Sequence, residues 1–404
     1  MKITCHIVLE GNKIIFNSAN EFLAKLAPRE SFKSKRFLEL LLDFSTDMSD
    51  RHAAERLNRI RLEKRGITPT TFRNVVEREG LSMQAHIERL CTAILEENSI
   101  IITESGELQS NSELNIEKIE HIPEKEIQTA ADKIGVASFN PSDYEVCEKS
   151  VNISPDGIYV KRQTECRPRR KNAKEQPKRV GNTIIHVEKG DLRFVINSGT
   201  VASAFWQLTS FLAVNDLLET QLVFFVDGAR DINNAISNMF GKLNFKVVLD
   251  WYHLEKKCLE QLSMALKGSK IRNEFMDKLR PALWFGNVDK AIQLLRGTEP
   301  EKIKNQAVID KLIEYLERVQ NHIPCYALRK ELGLRNSSNT VEKSNDILVA
   351  KRQKRNGMSW SEDGSIAFAS VAAAKYNGNL QNWIDSHSIV FSFGGSFGGE
   401  ALAA

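Results

Sequence analysis

Two short apolar runs in this chain end abruptly in acid. They are Val223-Phe224-Phe225-Val226-Asp227-Gly228-Ala229 and Val247-Val248-Leu249-Asp250-Trp251-Tyr252-His253. A buried strand delivers a carboxylate to the edge of a sheet in this way. A third segment, Val151 to Val160, sets Asp156 among apolar neighbours. Far downstream, Glu342 lies in a stretch with helical character, Asn339 to Asn345. Acids arriving from separate segments point to a site for divalent cations, which take hard oxygen ligands.

Basic residues crowd the same neighbourhoods. Lys161, Arg162, Arg167, Arg169, Arg170, Lys171, Lys174, Lys178 and Arg179 follow Asp156, opposed only by Glu165 and Glu175. Lys351, Arg352, Lys354 and Arg355 follow Glu342. Such runs are often solvated surface. Next to clustered acids they would also offset carboxylate repulsion and hold a phosphate backbone, so a polyanionic substrate is expected.

The rest of the composition narrows the class. The chain has 404 residues, 42% of them apolar, and a formal net charge of +4. That length suits two or three domains. No apolar run approaches the ~18 residues of a membrane span. The first ten residues lack a secretory signature. The cysteines (Cys5, Cys91, Cys147, Cys166, Cys258, Cys325) are scattered and form no CxxC pair. Neither a zinc ribbon nor a disulfide scaffold is expected, and a cytoplasmic setting is.

Several elements must position the acids. Residues 1–100 read as a helical domain. Asp50 to Lys64 has helical apolar spacing, and Gly66 breaks it. Thr68 then caps a helix that opens on Pro69 and stops at Gly80, and a further helix covers Ser82 to Glu96. A helix-turn-helix over 49–80 fits, with Arg73 and Arg78 exposed on the recognition helix. An ordinary helical bundle with exposed arginines fits too, and the pattern alone favours it. Residues 101–149 read as a linker with short elements. From residue 150 the order is β-β-β-α-β-α-β followed by helices. Strands are expected at 152–161, 182–189, 191–198, 222–226 and 245–249, and helices at 205–218 and 231–242. Residues 386–404, rich in glycine, read as a flexible tail.

This order, with acids on the first strand, the fourth strand and a late helix, resembles the ribonuclease H-like fold. It is similar in particular to the DDE transposases of bacterial insertion sequences in the Mutator-like superfamily. The likeness covers about residues 150–385. It rests on Pro155-Asp156-Gly157-Ile158-Tyr159-Val160-Lys161-Arg162-Gln163, on Asp227-Gly228-Ala229, on Asp250-Trp251-Tyr252-His253, and on Asn339-Thr340-Val341-Glu342-Lys343 with its continuation from Lys351 to Trp360.

The resemblance implies Asp156, Asp227 and Glu342 as a catalytic, metal-binding triad. Two Mg²⁺ ions, replaceable by Mn²⁺, would drive phosphodiester cleavage and strand transfer. It implies an all-helical insertion over 254–335 and moves the N-terminal reading toward helix-turn-helix. It also implies double-stranded DNA as partner, both element ends and target, a homo-oligomer when assembled on DNA, and association with a bacterial nucleoid. Asp250 and His253 are accessory candidates, as groups that orient the site or touch DNA, or as a structural pair opening a helix. Lys161, Arg162, Arg169, Arg170, Arg73, Arg78, Lys351, Arg352, Lys354 and Arg355 are candidate DNA contacts. A nuclease that does not join ends, and a non-enzymatic DNA-binding regulator, are the competing readings.

Overall fold

The computed structural model describes residues 5–9, 12–16, 34–60, 66–103, 105–110, 120–163, 177–354 and 358–393. For 5–9, 12–16, Ser110 and Thr340 it describes the backbone only. Arg169, Arg170 and Arg355 lie outside the described residues, as does the tail from 394 onward.

The centre is a mixed five-stranded sheet. Its strands are β5 (Ser150–Lys161), β6 (Arg179–Lys189), β7 (Leu192–Ser198), β8 (Gln221–Val226) and β9 (Phe245–Leu249), in the order β7-β6-β5-β8-β9. β6 runs antiparallel to both β5 and β7, and β8 runs parallel to β5 and β9. Each expected strand is present, within a few residues of its expected ends. β8 shows why its sequence is a continuous apolar run. Leu222 to Val226 are fully buried, because a strand between two parallel neighbours has both faces covered. Short antiparallel pairs lie outside this sheet: β1 (Cys5–Leu9) with β2 (Asn12–Phe16), and β3 (Ile100–Ile102) with β4 (Leu108–Ser110).

Helices cover the sheet. The N-terminal ones are α1 (Lys35–Asp47), α2 (Asp50–Ile60) and α3 (Pro69–Glu97), with α4 (Glu124–Ile134) after the β3–β4 pair. α5 (Val201–Val214) and α6 (Arg230–Phe240) link the strands. After β9 come α7 (Trp251–Ala265), α8 (Ser269–Trp284), α9 (Val288–Arg296), α10 (Gln306–Val319) and α11 (Tyr326–Glu331), the expected all-helical stretch. α12 (Asn339–Asn345) runs into a π-helical segment, Asp346–Ala350, and then α13 (Lys351–Gln353). α14 (Glu362–Tyr376) and α15 (Leu380–Ser386) follow. Among the described residues no helix is long and apolar enough to cross a membrane.

The N-terminal helices depart from expectation. Thr68 caps α3 by accepting from Thr71 N, with Pro69 in the first turn, as the sequence suggests. The helix does not stop at Gly80. It continues to Glu97, so the two short helices expected here are one. Gly80 serves a close crossing instead. A Cβ there would lie 2.2 Å from the Ala367 carbonyl oxygen of α14. The described residues of 35–60 and 66–97 are not packed as a separate bundle either. Leu41, Leu57, Phe72 and Val76 share one core with Val160 and Val180 of the sheet and with Trp360 and Val371.

Two more expectations are revised. Of the stretch expected to be a linker, the described residues 120–149 are anchored more firmly than that. Ile127 and Ala131 of α4 pack on Leu328, and Glu145 forms a buried pair with Arg329. The first part of the tail, expected to be flexible, is docked. Phe391 sits edge-on to Phe194 and Phe211, and Phe393 edge-on to Phe211.

Candidate active site

Register brings the acids together. Ile153 pairs with Phe224, and Val226 with Leu249. The same registers carried forward place Asp156, Asp227 and Asp250 level with one another at the carboxyl ends of β8 and β9 and on the central strand β5. Loops at the carboxyl ends of parallel strands are where α/β sheets hold ligands.

Asp227 bears on Asp156. Burial, and then the charge of Asp227, push the Asp156 carboxyl up to about 6, against the Gly157 amide, His253 and Asn345, which favour its charged form. Its Oδ1 accepts from Gly157 N at 2.7 Å and its Oδ2 from Asn345 Nδ2 at 2.5 Å. Asp227 Oδ1 accepts from Ala229 N at 2.8 Å, closing a tight turn at Gly228 with φ of +84°. That glycine is required twice. A side chain there would be strained, and its Cβ would meet the Tyr315 hydroxyl at 3.0 Å.

Asp250 has a different task. It is 1% exposed and caps α7. Its Oδ1 accepts from His253 N and faces His253 Nδ1 at 3.0 Å, while its Oδ2 accepts from the Ser338 hydroxyl and amide. Burial works to raise its pKa, but these bonds outweigh it and hold the carboxyl below its ordinary value. An ionised Asp250 fixes the proton on His253 Nδ1 and turns Nε2 toward Glu342 Oε1, 3.7 Å away. The hydrogen bond to Asp250 raises the His253 pKa, against burial. With its oxygens already occupied, Asp250 orients His253 and the start of α12.

Glu342 is exposed on α12. Its helix reaches the sheet through Asn345, one turn on, which donates to Asp156. Sequence reasoning missed Asn345 and Ser338. The Glu342-x-x-Asn345 spacing, which places both on one helix face, was the available signal.

The fit to divalent cations is one of kind more than of arrangement. Asp156 and Asp227 are hard donors whose mutual repulsion a cation would relieve. Glu342 supplies a third carboxylate but faces His253. Among the described residues no group of three or more His, Cys, Asp or Glu side chains stands close enough together to hold a metal ion.

The basic candidates divide. Lys161 and Lys354 are exposed. Arg162 pairs with Glu362 at 3.1 Å and Lys351 with Asp47 at 2.8 Å. Arg73 pairs with Asp50 and Arg78 with Glu79, and both arginines keep partly exposed side chains. Arg352 is a correction. It is buried, donates to Asp50 Oδ1 at 2.5 Å and to the Ser45 carbonyl, and stacks on Trp360 and Phe368. A guanidinium so enclosed ties α13 to α2 and has no face left for phosphate.

No curated protein and no solved structure matches this chain. One family model does, over residues 84–386, from the middle of α3 through the sheet, the helical insertion and α15. The chain therefore belongs to the uncharacterised protein family UPF0236.

Proposed function

We propose that this protein is a DDE-type DNA transposase with a ribonuclease H-like core. The observation that carries the reading is the meeting of Asp156, Asp227 and the Glu342 helix at one edge of the sheet, with Asn345 joining that helix to Asp156. The strand order β7-β6-β5-β8-β9, with only β6 reversed against β5 and β8, supports the same core.

Asp156 and Asp227 would hold the divalent cations, Mg²⁺ or Mn²⁺, and Glu342, which faces His253, would complete the set by turning toward them. Bound there, such ions supply an acidified water and neutralise charge on a phosphodiester in displacement. The chain's own groups prepare that site. Asn345 and the Gly157 amide fix the two oxygens of Asp156. The Ala229 amide fixes Asp227. Asp250 holds His253, and His253 Nε2 holds the Glu342 carboxylate near the sheet. Lys161 and Lys354, exposed and following Asp156 and Glu342 in sequence, would meet the DNA backbone. The partners on this reading are the element ends and target DNA, bound by an oligomer of the protein.

The test is a cleavage and strand-transfer assay on DNA carrying the ends of the element that encodes the protein, with Mg²⁺ or Mn²⁺. The wild type should nick and join, and Glu342→Gln should do neither while still binding DNA. Cleavage without joining would assign a nuclease. Equal activity in both proteins would remove Glu342 from the triad. Binding with no cleavage by either would assign a regulator.

A further inference from the structure

Beside Asp227 the insertion helices leave a basic groove. Arg230 at the start of α6, Lys257 of α7, and Lys311 and Arg318 of α10 line a cavity of about 370 Å³. A second cavity, of about 330 Å³, shares Lys257, Tyr315 and Arg318 and reaches Asp227, Gly228 and His253. The groove therefore leads from the outer face of the insertion to the acid edge of the sheet.

Its cations are poised for an external anion. Arg280 and Arg296, on neighbouring insertion helices, are paired with Glu255 and Glu317. Among the described residues no carboxylate lies within ion-pairing distance of Arg230, Lys256, Lys257, Lys311 or Arg318. Glu260 and Glu314 also border the groove, and the cations outnumber them.

The wall is held in place. Lys257 Nζ and the Arg318 guanidinium lie 5.6 and 5.5 Å from the Tyr315 ring centre, and the Tyr315 hydroxyl packs over Gly228. Tyr315 thus couples these cations to the turn that carries Asp227. Next to His253, Tyr252 exposes about half its surface, with Lys256 Nζ 5.9 Å from its ring centre. An exposed ring beside a lysine is what a nucleic-acid strand uses, a base on the ring and a phosphate on the cation.

We propose that this groove holds the phosphodiester backbone of one DNA strand as it leaves the acid edge of the sheet. Lys257, Lys311 and Arg318 touch its phosphates, and Tyr252 offers a stacking face. The assignment rests on the transposase reading and gives the helical insertion a role in it.

The experiment is fluorescence anisotropy on the full chain with a labelled DNA duplex bearing a single-stranded extension. EDTA silences chemistry, and affinity is followed across a salt series. Lys257→Gln combined with Arg318→Gln should weaken binding about tenfold or more. It should also lower the slope of log K against log salt by about 0.7–0.9 for each phosphate no longer neutralised. Lys311→Gln alone, a milder change on an exposed face, should lower the slope by one such step. If the wild type binds and both variants match it in affinity and slope, the groove assignment is overturned and the transposase reading stands. Weaker binding with an unchanged slope also overturns the groove, since it reports damage unrelated to phosphate neutralisation. No binding by the wild type overturns both.

Discussion

Asn345 Nδ2 donates to Asp156 Oδ2 across 2.5 Å, joining the helix that carries Glu342 to the central strand of the sheet. The bond sets one oxygen of a carboxylate that burial and Asp227 both work to neutralise. Asn345→Ala should cost the fold about 1.5–3 kcal/mol, the usual worth of a hydrogen bond to a charged group. It should slow metal-dependent nicking at least about tenfold, the rate effect of a misplaced catalytic group. Single-turnover nicking beside a urea melt separates the two effects. Unchanged nicking would show that the bond does not position Asp156.

Arg352 is expected to matter for stability. Arg352→Ala would leave Asp50 buried beside only the partly exposed Arg73, and breaking such a pair costs about 3–5 kcal/mol. Lys354→Ala, close by in sequence on an exposed face, should stay within about 0.5 kcal/mol. Denaturant midpoints of the two variants would show the contrast, and equal midpoints would return Arg352 to the free surface cations.

Gly80→Ala tests the helix crossing. In an exposed helix interior this change stabilises by about 1 kcal/mol. Here the new methyl would collide with the Ala367 carbonyl, so a loss of about 1–3 kcal/mol is expected, as for other overpacked sites. Thermal unfolding gives the sign, and a stabilised variant would mean that α3 and α14 do not approach closely at this point.

Acid should weaken the anchor between the 120–149 region and α11. Burial acts to raise the Glu145 pKa, but hydrogen bonds and charge from Arg329 outweigh it, so the folded value lies below the ordinary one. The stabilisation is therefore complete above the unfolded pKa of about 4.3 and is lost as pH falls through the folded value. Glu145→Gln should be less stable than wild type at neutral pH, with the gap narrowing below about pH 4. Urea midpoints across that range would reveal it, and a gap independent of pH would remove Glu145 as the titrating group.

Much of this architecture was legible in the chain itself. Apolar runs such as Leu222 to Val226 declare buried strands because few other elements bury so short an unbroken stretch between turn residues. Acids placed directly after those runs, Asp227 and Asp250, must emerge at strand ends. Thr68-Pro69 and Asp250 announce helix starts through local capping chemistry, which depends on neighbours only a few residues away.

Tertiary structure decided what depends on distant partners. Register across β5, β8 and β9 sets Asp156 and Asp227 side by side, and it gives Asp250 to Ser338 and His253 as an orienting group. Gly80 reads as a helix stop locally because glycine is a poor helix former, and only the approach of α14 explains its place inside a helix. Arg352 reads as one cation in a basic run, and only the packing of Asp50, Trp360 and Phe368 around it makes it a buried tie. Local sequence fixes backbone propensity and the facing of side chains. Which side chain meets which across hundreds of residues follows from the packing of the whole chain.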